Sequence, residues 1–330
     1  MKKLFLILVL LFSLVFAGCN RTFKGDIKTD FSFNGTDVYN TPSQNFALGD
    51  RVVAYSKTTG SFDSLYLLNA TSSKLIAKKG GSVLGISMNG DHLYCLFAEK
   101  NSFVFYNYDM KSEKLHKLHT VKENVSNSWM VVDNVIVYER LNGSIRDGEN
   151  YSLVIFDGSS ETTICNDSMG FSFDGKTILF VEKKESTCAL KSFDLTNGRT
   201  NEIGSFTSSA DRAYISPEFV VMVSSEASVQ NISIYYVATD EVKVVKLSEH
   251  PQICSMVQEY LFFTKDETKD LCRLNMKSND EIVIKESFSG EVLVDNADVL
   301  YVYDFQNDCV NKLELGENGQ LSNIEIATLG

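Results

Sequence analysis

One apolar run of strand length, Ile178-Leu179-Phe180-Val181, has counterparts beginning at Val52, Leu93, Val135, Phe219, Tyr260 and Val299, at intervals of 39 to 43 residues. Residues 168–206 spell out the whole unit around that run. Gly170 to Phe173 is a short alternating run and Asp174-Gly175 a tight-turn signal ahead of it. Cys188 to Leu195 is a further run, Thr196-Asn197-Gly198 a second turn, and Thr200 to Ile203 a fourth strand. Gly85-Ile86-Ser87-Met88-Asn89-Gly90 repeats the spelling of Gly170-Phe171-Ser172-Phe173-Asp174-Gly175. A single four-stranded meander cannot bury both of its faces, but it can stack on two neighbours. This period therefore predicts an all-β chain whose residues 45–330 form a seven-bladed β-propeller of four-stranded antiparallel blades.

Composition agrees with one large domain. The 330 residues are 44% hydrophobic and include only 3 prolines, and no helix-period segment of useful length follows residue 20. The spacing of the repeats leaves no room for a linker after Asn45. Six cysteines follow Cys19: Cys95, Cys165, Cys188, Cys254, Cys272 and Cys309. An even count in an exported chain permits disulfides, but Cys254 and Cys272 fall on a first and a third strand, two spacings of ~4.8 Å apart. Most are expected to be buried free thiols.

The first eighteen residues read as a targeting segment, because Lys2 and Lys3 precede an apolar run too short for an ordinary membrane span. The following Phe16-Ala17-Gly18-Cys19 resembles the lipobox of bacterial lipoproteins. That resemblance implies a lipoprotein signal peptide over residues 1–18, an acylated Cys19, and a protein held by the lipid bilayer on the extracytoplasmic side of a bacterial cell membrane. Two acyl chains hold stably where one does not. Residues 19–44 are polar and turn-rich. They serve either as a leash from the anchor or, through Thr29–Phe33, as a closing strand on the last blade.

Loss of Lys2 and Lys3 with the leader takes the net charge from −12 to −14. Such a body repels phosphate backbones, which argues against nucleic acid as a partner.

Ser216-Pro217-Glu218, Ser172-Phe173-Asp174-Gly175-Lys176 and the Phe/Tyr-Asp ends of third strands (Tyr108-Asp109, Phe156-Asp157, Phe193-Asp194) resemble the degenerate repeat of TolB-type propellers. They are similar also to propeller repeats of bacterial surface lipoproteins of unassigned function. The resemblance spans roughly residues 45–330 and implies fold more than activity.

Motifs of covalent or metal chemistry do not emerge. Gly204-Ser205-Phe206 and Gly60-Ser61-Phe62 do not form a serine elbow, and the four histidines are dispersed. No metal site, cofactor or catalytic residue is assigned. The longest internal insertion, Leu141 to Asn150, carries Arg146, Asp147 and Glu149, a candidate binding loop at the channel mouth. Trp129, Arg212 and Glu291 are candidate channel residues at the inward ends of first strands. The preferred expectation is a binding or scaffold module for an envelope protein, peptide or glycan, or a structural part of an envelope assembly. The alternative is an exported propeller enzyme, a glycan hydrolase or lyase, with an acidic site in the central channel.

Overall fold

A computed structural model of the chain describes residues 25–33, 38–40, 43, 45–59, 62–70, 72–143, 150–185, 187–316 and 321–329. Every regular element among them is a strand. Two short strands, β1 (Asp26–Ile27) and β2 (Val38–Asn40), precede a series of antiparallel meanders. The first comprises β3 (Phe46–Gly49), β4 (Val52–Thr59), β5 (Phe62–Asn69) and β6 (Ser72–Lys78). The second comprises β7 (Ser82–Asn89), β8 (His92–Glu99), β9 (Ser102–Asp109) and β10 (Lys114–Val121). The third runs through β11 (Val125–Val132), β12 (Val135–Asn142) and β13 (Asn150–Phe156) into β14 (Glu161–Phe173). The fourth begins in that same β14 and continues through β15 (Thr177–Lys184), β16 (Thr187–Asp194) and β17 (Arg199–Thr207).

The fifth meander is β18 (Arg212–Ile215), β19 (Phe219–Val223), β20 (Asn231–Tyr236) and β21 (Glu241–Lys246). The sixth is β22 (Pro251–Val257), β23 (Tyr260–Lys265), β24 (Leu271–Asn275) and β25 (Glu281–Lys285). The last is β26 (Gly290–Asn296), β27 (Val299–Asp304), β28 (Cys309–Leu315) and β29 (Leu321–Thr328). These strands form six hydrogen-bonded sheets, because β14 pairs with β13 through its first half and with β15 through its second. The changeover is at Ser168, which faces Tyr151 on one side and Glu182 on the other.

The second strand of each meander is apolar on both sides because both sides are covered. Alternation sends Leu261 and Phe263 into the cluster shared with the fifth meander and Phe262 into the one shared with the last. Ile136 and Tyr138 likewise face the second meander while Val137 faces the fourth. Corresponding clusters fill the remaining spaces between consecutive meanders. A further one, with Phe46, Tyr55 and Leu68 against Tyr301, Val310 and Ile326, joins the first meander to the last. Each fully buried Val, Leu, Ile or Phe contributes about 1.5–3 kcal/mol. Fourth strands such as β17 and β21 are largely exposed, whereas β3 is wholly buried. First strands therefore lie inward, an arrangement consistent with a propeller.

Residues 25–33 are not a leash. Asp26 and Ile27 pair with Thr328 and Ala327 on the outer edge of β29. Thr29–Phe33 makes no strand; instead Phe31, 6% exposed, and Phe33 pack against Tyr301, whose hydroxyl donates to the Ser32 carbonyl at 3.1 Å. Closure here comes from aromatic packing, with the strand pairing displaced toward the N-terminus. The six cysteines after Cys19 are all free thiols. Burial pushes Cys95 and Cys165 up to about 12.

Candidate functional site at the inner strands

A cavity of about 130 Å³ lies where the first strands of the third, fourth and fifth meanders converge. Its walls come from Ser128 and Met130 of β11, Met169 to Ser172 of β14, and Arg212 to Ile215 of β18. The strands approach closely because Gly170 allows it. A Cβ there would stand 2.0 Å from the Ala213 carbonyl oxygen, and the residue holds φ +153°. Gly85, its counterpart in the repeat, answers the same crowding one step round: a Cβ would lie 2.7 Å from Trp129 Nε1.

Glu139 of β12 lies next to this cavity and is fully buried (0% exposed). Its carboxylate accepts from Ser168 Oγ at 2.9 Å, Ser126 Oγ at 3.3 Å and Arg212 Nη1 at 3.1 Å. Burial raises the carboxyl above its ordinary value; Arg212 and the serine hydroxyls oppose that only in part. The guanidinium of Arg212 also stacks on Tyr151, 4.3 Å from the ring centroid. The Ser168 bond explains why the changeover residue of β14 is polar. Tyr214, also on the cavity wall, is pushed up to about 12, chiefly by burial, with Arg212 acting the other way.

Arg212 is thus at the cavity, joined to a partner that the residue-by-residue reading of motifs did not single out. Trp129 is elsewhere: it is fully buried between the second and third meanders, edge-on to Phe105, while its neighbours Ser128 and Met130 line the cavity. Among the described residues its indole Nε1 has no hydrogen-bond partner. Glu291 lies across the inner strands on β26. It accepts from Ser43 Oγ, from Asn45 N at 3.0 Å and from Asn45 Nδ2 at 2.6 Å. The thiol of Cys254 on β22 is lifted to about 12, chiefly by desolvation. Arg146, Asp147 and Glu149 lie outside the described residues, as does Cys19.

His119, on the outer strand of the second meander, is held by the third. A bulge between Lys117 and His119 turns the ring inward, where it stacks on Phe156 at 3.9 Å and meets Glu161 at 2.6 Å. Tyr138 and Arg140 complete this clasp on Glu161, at 2.6 and 3.0 Å. It ties the outer strand of the second meander to the third, away from the cavity.

No family model and no curated protein matches the chain. Among solved structures, a puromycin hydrolase matches with TM-score 0.55 and 11% identity, over 91% of this chain and 57% of that one. AztD from Citrobacter koseri matches with TM-score 0.54 and 10% identity, over 87% and 86%. The chain folds as a β-propeller. TolB from Acinetobacter baumannii is similar at TM-score 0.46 and 13% identity, over 73% of this chain and 64% of that one. This chain spans little more than half the length of the puromycin hydrolase it matches. A TolB-like propeller is compatible with these likenesses without being singled out by them.

Proposed function

We propose that the chain is a lipid-anchored, seven-bladed propeller, tethered by an acylated Cys19 on the extracytoplasmic side of a bacterial cell membrane. There it serves as a binding or scaffold module for an envelope protein, peptide or glycan. The observation that carries this reading is the cavity between β11, β14 and β18. Its one cation, Arg212, is oriented by Glu139 beneath and Tyr151 beside it, and the other walls offer thioethers, two aromatic rings and serine hydroxyls. Such a mixture of apolar walls with few placed polar groups suits recognition. The carboxyl group with the raised value, Glu139, is sealed from solvent and saturated with donors. That favours a positioning role over acid–base work and supports binding over the exported-enzyme alternative.

The blade count is supported by apolar clusters that join each meander to the next and the last to the first. The acidic body, −12 overall, weighs against nucleic acid. The test is crosslinking and recovery from intact cells with three forms: wild type, Cys19→Ala and Arg212→Ala. Wild type should fractionate with membranes and Cys19→Ala should be released, both retaining the same macromolecule, while Arg212→Ala loses it. Hydrolysis of a glycan array with no macromolecule recovered would reverse the reading in favour of the enzyme.

A further inference from the structure

The inward edges of the first strands are already in use on the side opposite the Arg212 cavity. In the sixth meander, β22 pairs with β23 on one edge and with β2 on the other, Val38 facing Val257 and Asn40 facing Ser255. In the second meander, Ile86 pairs with Cys95 on one edge and with Ser43 on the other, its N–H donating to the Ser43 carbonyl at 2.7 Å. Only three residue steps separate Asn40 from Ser43, a reach of about 10 Å at full extension. Residues 38–40 and Ser43 therefore link the inner edges of the sixth and second meanders. Glu291 of the last meander receives the Ser43 hydroxyl and both nitrogens of Asn45.

We infer that the inward edge of β22 together with the Glu291 carboxylate is a strand-accepting site for an extended peptide, and that residues 38–40, with Ser43 and Asn45, are its resident occupant. Backbone pairing supplies sequence-tolerant affinity. The carboxylate supplies register, by selecting hydroxyl or amide side chains two residues apart, as Ser43 and Asn45 are. This inference goes beyond the Arg212 cavity of the binding-module reading and assigns a second site, whose ligand class is peptide. The tethered copy has an effective concentration on the order of 1 mM. A free peptide with a dissociation constant of about 10 μM would thus appear roughly 100-fold weaker on the intact chain.

The test replaces residues 36–45 by a Gly/Ser run of equal length, which keeps the connection and removes strand propensity. Anisotropy of a labelled peptide with the sequence of residues 36–45 should show binding to this form roughly 100-fold tighter than to the intact chain. Glu291→Ala in the replaced chain should weaken it at least about tenfold, the loss of a charged hydrogen bond. A replaced chain that still melts cooperatively but binds the peptide no better than a scrambled one overturns the inference. If the replacement does not fold, Glu291→Ala in the intact chain decides. Amide exchange at Ile86 should accelerate about tenfold or more while Cys95 is unchanged, and equal exchange overturns the site. A partner crosslinked in cells without peptide binding defeats this inference alone. Peptide binding with no partner recovered defeats the binding-module reading and leaves the site standing.

Discussion

Replacing Arg212 by Met removes the one cation that faces the buried Glu139 carboxylate. At 3.1 Å and an effective dielectric constant of about 20, the attraction lost is about 5 kcal/mol. The guanidinium is 29% exposed, so water recovers part of it, and broken buried pairs cost about 3–5 kcal/mol. The expected loss is about 3 kcal/mol, or about 6 °C in Tm at roughly 2 °C per kcal/mol for a chain of this size. Glu139→Gln combined with Arg212→Met removes both charges and keeps an acceptor for Ser168. That double variant should return to within about 1.5 kcal/mol of wild type. Calorimetry or guanidinium titration reads both. The pH dependence checks the sign. Glu139's folded value is raised above its ordinary 4.5. Its contribution to stability is therefore complete below the unfolded value and is lost as pH rises through the folded one. Removing Arg212 raises the folded value further, so the deficit should be largest at neutral pH and shrink on acidification. A single variant within 1 kcal/mol of wild type, or a double variant equal to the sum of its parts, would refute the coupling.

Gly85→Ala should cost about 1–3 kcal/mol, because the new methyl meets the Trp129 indole at 2.7 Å. Trp129→Phe should relieve that clash in the double variant, a rescue measurable by thermal melting. The buried thiols should be inert to a disulfide reagent in the native protein. With Cys95 and Cys165 raised to about 12, only about one in ten thousand of each is thiolate at pH 8. All six described thiols should react in denaturant; rapid native labelling of Cys95 would contradict its burial. An unacylated Cys19 in the same sample would report itself as a fast thiol.

The strands were legible because their signal is local. The second-strand runs predicted from Val52, Leu93, Val135, Ile178, Phe219, Tyr260 and Val299 begin in the structure at that residue or one before it. What was not legible depends on which segments meet across the ring. Glu139 takes its partners from β11, β14 and β18, separated from it by 13, 29 and 73 residues. A trace existed in the repeat, where its position is otherwise filled by Ser56, Phe97, Glu182, Val223, Thr264 and Tyr303. A carboxylate recurs at this place in Glu182, which is also held by a cation, Lys191 at 2.6 Å. The clasp of His119 was not legible because strict alternation fails at a bulge. Residues 38–40 and Ser43 pair with strands whose order in space no local pattern announces.

The strand shared by the third and fourth meanders has a mechanical consequence. Elsewhere neighbouring sheets are held to one another mainly by side chains, and such seams can loosen contact by contact. Along residues 161–173 one strand runs from one ladder straight into the next, and at Ser168, paired on both sides, backbone pairing would have to break before the two sheets could separate. Under load or heat, strain should migrate away from this welded joint, and the ring should first come apart at some other seam.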